Sequence, residues 1–186
     1  MSAAWVVPTA RATSWSGLVA VTGCLAGITV FAAYADMWPT GLLGLAAAAV
    51  AAGVVAGLRD PAAALLSAVP TSTAVRRGRR LSLLVPAGLA VWTVWIGVGH
   101  RWVPDLGWPL DALVALTATG LAVAVWAPER IGLAAGAAVP LAWVVTARAD
   151  GVLDEEQAGV LFAWQHHPEI VTGAALAALW LGRNRP

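Results

Sequence analysis

The sequence contains no lysine, a single cysteine and few charged residues of any kind. All 11 basic residues are arginine, so the chain has no lysine for a Walker-A phosphate loop or for a Schiff base. Cys24 is the only cysteine, which excludes a disulfide scaffold. The formal net charge of +1 argues against nucleic-acid binding. We therefore expect no ATP hydrolysis by the P-loop route in this chain.

The low charge also argues against a water-soluble fold. About 25% of the residues of a soluble domain are charged, whereas the fraction here is 11%, with 60% hydrophobic residues and a mean hydropathy of +0.77. Too few charged side chains remain to cover the surface of a domain in water. The composition predicts a protein of the cell membrane, in contact with membrane lipids.

Long uncharged runs predict six transmembrane helices, because about 20 helical residues cross the hydrocarbon core of a bilayer. The runs are rich in alanine and glycine and lack the period-two alternation of barrel strands. We expect an all-α polytopic membrane protein in which residues 1–186 form a single transmembrane domain. The spans are predicted at 16–34, 41–58, 81–99, 112–127, 131–147 and 170–181.

The arginines predict the orientation of these spans. With both termini in the cytoplasm, nine arginines lie inside and only Arg101 and Arg148 lie outside, as the positive-inside rule requires. One alternative concerns the first span, since Arg11, an apolar run and Ala33-Tyr34-Ala35 resemble a signal peptide with its cleavage site. The length of the run and the arginine pattern favour a first transmembrane helix.

The predicted spans carry no ionisable residue deep inside them, so the sequence offers no midplane site for a coupling ion. His166 and His167 are adjacent and therefore point apart on a helix, which disfavours a metal site. Residues 151–167 predict an extracellular interfacial helix capped by Asp154. We expect no catalytic residue, cofactor or metal in this chain.

The cytoplasmic segment 59–80 carries the most informative pattern. Asp60 as cap and Pro61 at the first helical position predict the start of a short helix, and Pro70 predicts its end. Its apolar residues are spaced to form one stripe: Ala62, Leu65, Leu66 and Val69. A helix of about two turns is marginal alone, so it requires a surface to pack against.

A basic run follows this short helix and leads into the third span. It consists of Arg76, Arg77, Arg79 and Arg80. Such a run is typical of a topology anchor that attracts anionic lipid headgroups.

The order of acidic residue, short helix, Leu-Leu, Pro-Thr and basic run resembles the coupling segment of type-two permeases of ATP-binding-cassette exporters. That family has six spans and inner termini. The composition, free of lysine and rich in alanine and arginine, is similar to that of small actinobacterial membrane proteins. The sequence departs from the family where Ala62-Ala63-Ala64 replaces Glu-Lys-Glu-Gly-Thr, and residues 1–15 give no clear signal for an N-terminal elbow helix.

The resemblance implies that this chain is a permease subunit powered by a separate ATPase, which carries the ATP and Mg. The ATPase would dock on residues 60–72 through Asp60, Pro61, Leu65, Leu66, Val69 and Pro70. A second copy or a homologous permease would complete the translocation path. The alternative is an accessory or scaffold subunit of a membrane complex, which explains the absence of midplane chemistry equally well. The uncharged spans favour an apolar or amphipathic cargo over an ion.

Overall fold

A computed structural model describes residues 5–59, 73–102, 110–128, 130–147 and 163–182. All regular elements in these ranges are helical, which confirms the expected all-α class. The α-helices are α1 (Val6–Ala12), α2 (Ser16–Ala35), α3 (Leu43–Ala56), α4 (Thr73–Gly99), α5 (Leu110–Trp126), α6 (Gly132–Ala147), α7 (Ala163–His166) and α8 (Pro168–Gly182). A 3-10 turn at Thr40–Leu42 leads into α3.

Two of these helices are long and apolar enough to cross a membrane. They are α2, with a mean hydropathy of 2.0 over its most apolar stretch, and residues Val75–Gly99 of α4, with 1.9. The other four predicted spans fall on the shorter apolar helices α3, α5, α6 and α8, which have 14 to 17 residues. The helix that contains the predicted span 81–99 begins earlier, at Thr73, and thus includes the basic run.

The centre of the bundle is α3, which contacts α2, α4, α5 and α6. Small side chains make this position possible, because alanines allow neighbouring helices to approach closely. Ala47, Ala48 and Ala51 are fully buried, and Val50 and Val55 fill the space between them. By contrast, α2 lies at the edge of the bundle, and its buried residues are Leu18, Leu25 and Ala32.

Helices α5 and α6 approach each other closely at a pair of glycines. A Cβ placed on Gly120 would lie 2.6 Å from the carbonyl oxygen of Gly136. A Cβ placed on Gly136 would collide with the carbonyl oxygen of Gly120. Gly136 also forms a Gly-x-x-x-Gly pair with Gly132 in the sequence. Both glycines of this pair contact α5, so the pair packs two helices of the same chain together.

Successive helices run in opposite directions. The start of α2, the end of α3, the start of α4 and the end of α5 therefore lie at one end of the bundle. Gly17 lies against Gly53, which places the start of α2 beside the end of α3. The Arg80 guanidinium donates a hydrogen bond to the carbonyl of Leu58, which places the start of α4 there too. The side chain of Val55 lies against Gly120 in α5.

The last helices complete this end of the bundle. The backbone of Gly132 lies against the carbonyl of Ala124, so α6 begins where α5 ends. Gly182 lies against Val125 and Trp126, so α8 ends beside the end of α5 and runs parallel to it. We call this the arginine end, and the opposite end the carboxylate end, for the residues described below.

Candidate functional site

The described charges divide between the two ends of the bundle. The arginine end carries seven of the eight described arginines: Arg11, Arg59, Arg76, Arg77, Arg79, Arg80 and Arg130. The carboxylate end carries Arg101, the three described histidines and all three described acids, Asp36, Asp111 and Glu169. Folding has thus gathered positive charge at one end from four separate stretches of sequence.

The basic run forms the first turns of α4, and its members have different environments. Arg80 is buried, and its Nη1 donates to the carbonyl oxygen of Leu58 at 3.3 Å. Arg79 lies over the ring of Trp5, with its guanidinium carbon 5.9 Å from the ring centroid, at cation–π distance. The Nε and Nη1 atoms of Arg76 are buried and have no acceptor among the described residues. Arg80 therefore joins the start of α4 to the end of α3, and Arg79 and Arg76 have different surroundings.

The predicted docking residues Asp60, Pro61, Leu65, Leu66, Val69 and Pro70 lie outside the described residues. The residues that flank the segment are described, and both lie at the arginine end. Arg59 follows the end of α3 and Thr73 begins α4. The two residues that border segment 60–72 therefore lie at the same end of the bundle, beside the basic run.

A short N-terminal helix, α1, lies at this end as well, although no clear pattern in residues 1–15 predicts it. It packs against α4, and the break at Thr13 separates it from α2. The indole of Trp15 donates to the carbonyl of Ala10 at 2.8 Å and holds the two helices together across this break. The hydroxyls of Thr9 and Thr13 each donate a hydrogen bond to the backbone carbonyl four residues earlier.

Four tryptophans form a cluster at the carboxylate end. Trp38 lies 5.0 Å from Trp95 and 5.4 Å from Trp102 between ring centroids, and Trp92 lies 5.7 Å from Trp95. Trp92 and Trp95 are three residues apart on one face of α4, and both are buried. Trp38 belongs to the same buried group although its position between helices suggests an interfacial residue. The cluster joins the α2–α3 connection to α4.

The histidines do not converge on a metal. The Nδ1 atom of His167 lies 3.6 Å from the Glu169 carboxylate, and both side chains are well exposed. Among the described residues, no three histidine, cysteine or carboxylate side chains are grouped so that they could hold a metal ion. The last residues of the predicted outer segment 151–167 include α7, and residues 151–162 lie outside the described residues.

An apolar cleft opens on the side of the bundle between α4, α5 and α8, with α3 as its floor. Its volume is about 180 Å³. Its lining is aliphatic except for Thr117, whose hydroxyl donates to the carbonyl of Leu113 at 2.8 Å. Val114 and Leu176 at its rim are 41% and 54% exposed, so the cleft is open to the outside of the bundle. Such a surface binds hydrocarbon and offers no unsatisfied polar group to a hydrophilic ligand.

A second apolar groove lies between α2 and α4. It has a volume of about 540 Å³ and is lined by Thr22, Leu25, Thr29, Val91 and Trp95, among others. The hydroxyls of both threonines are bonded to carbonyls of their own helix. The groove shows that α2 touches α4 along only part of its length.

No protein-family model, no curated protein and no solved structure matches this chain.

Proposed function

We propose that this chain is a six-span membrane protein, with α2, α3, α4, α5, α6 and α8 as its spans. The two long helices provide the clearest support. The shorter apolar helices pack with them into one bundle of alternating direction, which is the arrangement of a polytopic protein. Large apolar side chains at the bundle surface, such as Val30 at 70% and Phe31 at 63% exposure, suit lipid rather than water.

The orientation that we propose places the arginine end in the cytoplasm. Segments rich in arginine remain on the cytoplasmic side during insertion. Seven described arginines gather at one end and one at the other, so the three-dimensional arrangement supports the same orientation as the sequence pattern. Both termini then face the cytoplasm.

Within this frame, we propose that the protein is the transmembrane permease subunit of an ATP-driven exporter of the ATP-binding-cassette type. The observation that carries the proposal is the position of Arg59 and Thr73, the residues that border segment 60–72, which both lie at the arginine end. A cytoplasmic ATPase would reach the predicted apolar stripe there. The short helix α1 at the same end supports the proposal, because the family has an N-terminal elbow helix.

In this proposal, the separate ATPase supplies the energy for transport. The described acids, arginines and histidines lie at or near the ends of the helices, so the described interior has no such group to hold a coupling ion. ATP and Mg would bind to the separate ATPase, and its movement would switch the helix bundle between two packings. The lateral apolar cleft suits an apolar or amphipathic cargo.

A second permease copy or a homologue would complete the translocation path. The surface of α2 offers a place for it, because Gly23 and Gly27 share one face and have open space around them. Small residues at this spacing allow two helices to approach closely in a membrane. The other two glycine pairs of this spacing have contacts within the chain.

Affinity purification from detergent-solubilised membranes tests the permease function. The intact protein should co-purify with an ATPase that carries a P-loop, and the double variant Leu65→Asp, Leu66→Asp should lose it. The matched control is Val7→Asp with Ala12→Asp, which adds the same charge at the arginine end on the exposed side of α1. Recovery of other membrane subunits but no ATPase would contradict the proposal and favour the scaffold function. Equal loss with both double variants would also contradict docking on 60–72.

A further inference from the structure

One ridge of α4 connects the arginine end to the apolar cleft. Arg77, Leu81, Val85 and Leu89 follow at intervals of four residues, so they form one ridge that winds slowly around the helix. Val85 and Leu89 line the cleft. Arg77 lies about 12 Å before Val85 along the helix axis at 1.5 Å per residue. The ridge thus leads from a cation at the end of the bundle to an aliphatic wall.

The described part of the chain places arginines and no carboxylate at this end. Arg77 is half-buried and makes neither a hydrogen bond nor an ion pair with a described residue. The buried Nε and Nη1 atoms of its neighbour Arg76 have no acceptor among the described residues. The described carboxylates all lie at the opposite end. An anionic group near Arg77 would gain charge-assisted hydrogen bonds.

The cleft itself selects for hydrocarbon. The cleft has a volume of about 180 Å³ and an almost entirely aliphatic lining, so a hydrocarbon chain that enters it gains apolar contacts. Its one polar wall group, the Thr117 hydroxyl, is already bonded to the Leu113 carbonyl. Because the rim is open at Val114 and Leu176, a chain can enter from the side.

We propose that this cleft binds one hydrocarbon chain of an anionic membrane lipid, whose phosphate group lies near Arg77. The lipid is recognised at two places, by aliphatic packing along α4, α5 and α8 and by charge at the arginine end. This binding goes beyond the permease function and does not depend on it, since a bound lipid is compatible with a scaffold subunit as well.

Native mass spectrometry of the full-length protein tests the chain-binding half of the proposal. The protein is purified in detergent and supplied with equal amounts of phosphatidylglycerol and phosphatidylcholine that carry the same chains. Thr117→Phe fills the cleft and should lower lipid retention at least about tenfold, the loss expected when a few methylene groups are no longer buried. Thr119→Phe is the matched control.

The two threonines are well suited to this comparison. Both are half-buried on α5, and each donates its hydroxyl to the carbonyl four residues earlier at 2.8 Å. Only Thr117 lines the cleft. Val114→Trp, a change at the exposed rim, gives a second way to fill the cleft if Thr117→Phe impairs folding. The comparison uses variants whose melting temperature equals that of the unchanged protein. Equal lipid retention in the cleft-filling and control variants would then overturn the proposal.

The charge half of the proposal is tested by Arg77→Gln. This variant should still retain lipid, but its preference for phosphatidylglycerol over phosphatidylcholine should fall about fivefold. The reason is that one arginine near a membrane surface contributes about 1 kcal/mol to the binding of an anionic lipid. Arg79→Gln removes the same charge from the side of α4 that faces Trp5 and should retain most of the preference. Equal loss in both variants would indicate only a general effect of charge and would contradict a site at Arg77.

Inorganic phosphate separates a lipid from a free anion as the ligand. Excess phosphate should not displace phosphatidylglycerol, because phosphate lacks the hydrocarbon chain that fills the cleft. Displacement by phosphate alone would show an anion site without a lipid chain and would overturn the proposal.

Discussion

The helices α2 and α3 are neighbours in sequence, and both are apolar and free of charge, yet they have opposite environments. Nearly every residue of α3 from Leu43 to Val55 is buried, whereas α2 buries three residues of its 20. The difference lies in side-chain size rather than in hydropathy. Alanine dominates α3, and larger residues such as Val30 and Phe31 lie on the exposed surface of α2.

This comparison shows what decides position in a bundle of apolar helices. In a membrane the hydrophobic effect does not separate the interior from the lipid-facing surface, so close packing between small residues does. The interior contact between α5 and α6 follows the same rule at Gly120 and Gly136. Hydropathy alone identifies both kinds of helix as apolar and cannot distinguish them.

The largest expected effect comes from placing a side chain where the interior has no room. Gly136→Leu should destabilise the protein by more than about 3 kcal/mol, because the obstacle is the backbone of Gly120 and not a side chain that can move. Gly27→Leu on α2 meets open space and should leave the stability of the single chain unchanged. Thermal unfolding of both purified variants checks this, and equal melting temperatures would contradict the packing.

A charge on the surface of α2 tests whether this helix faces lipid. Cys24 is exposed near the middle of α2, and Cys24→Arg should cost about 2.5–3.5 kcal/mol of membrane insertion. Tyr34→Arg lies near the helix end, where arginine reaches the interface, and should insert almost normally. The inserted fraction is measured by extraction of membranes with alkaline carbonate. Normal insertion of Cys24→Arg would contradict a lipid-facing α2.

A smaller effect on stability is expected when an alanine is replaced by leucine. Ala51→Leu on α3 should destabilise the protein by about 1–3 kcal/mol, because Ala51 is fully buried and the added carbons overpack the core. Ala33→Leu makes the same change on the exposed surface of α2 and should change stability by less than about 0.5 kcal/mol. Denaturant titrations in the same detergent compare them; a larger effect at Ala33 would reverse the assignment of interior and surface.

The sequence predicts much of this architecture because helical apolar runs are read directly from composition and length. The two long helices, α2 and α4, are long and apolar enough to cross a membrane, as predicted. That the four shorter helices span a membrane stays a prediction. The partners of each helix could not be predicted, since many glycine and alanine pairs have the same spacing. Gly23 and Gly136 look alike in sequence, yet one has open space and the other touches backbone.

The candidate site shows the same limit. The basic run at Arg76–Arg80 is obvious in sequence, but only the fold shows that Arg80 is bonded to the carbonyl of Leu58, 22 residues earlier. The apolar cleft was not predicted because its walls come from four helices that are distant in sequence. The predicted docking stripe at Leu65, Leu66 and Val69 stays a prediction.

Single-cysteine labelling in intact cells tests the central claim, that this bundle spans the membrane with its arginine end in the cytoplasm. Cys24→Ser removes the native thiol, and a cysteine is then placed at Met37 on the carboxylate end or at Gly78 on the arginine end, both exposed. A membrane-impermeant maleimide should label the Met37→Cys protein in intact cells and the Gly78→Cys protein only after permeabilisation. Labelling of Gly78→Cys in intact cells would contradict the account.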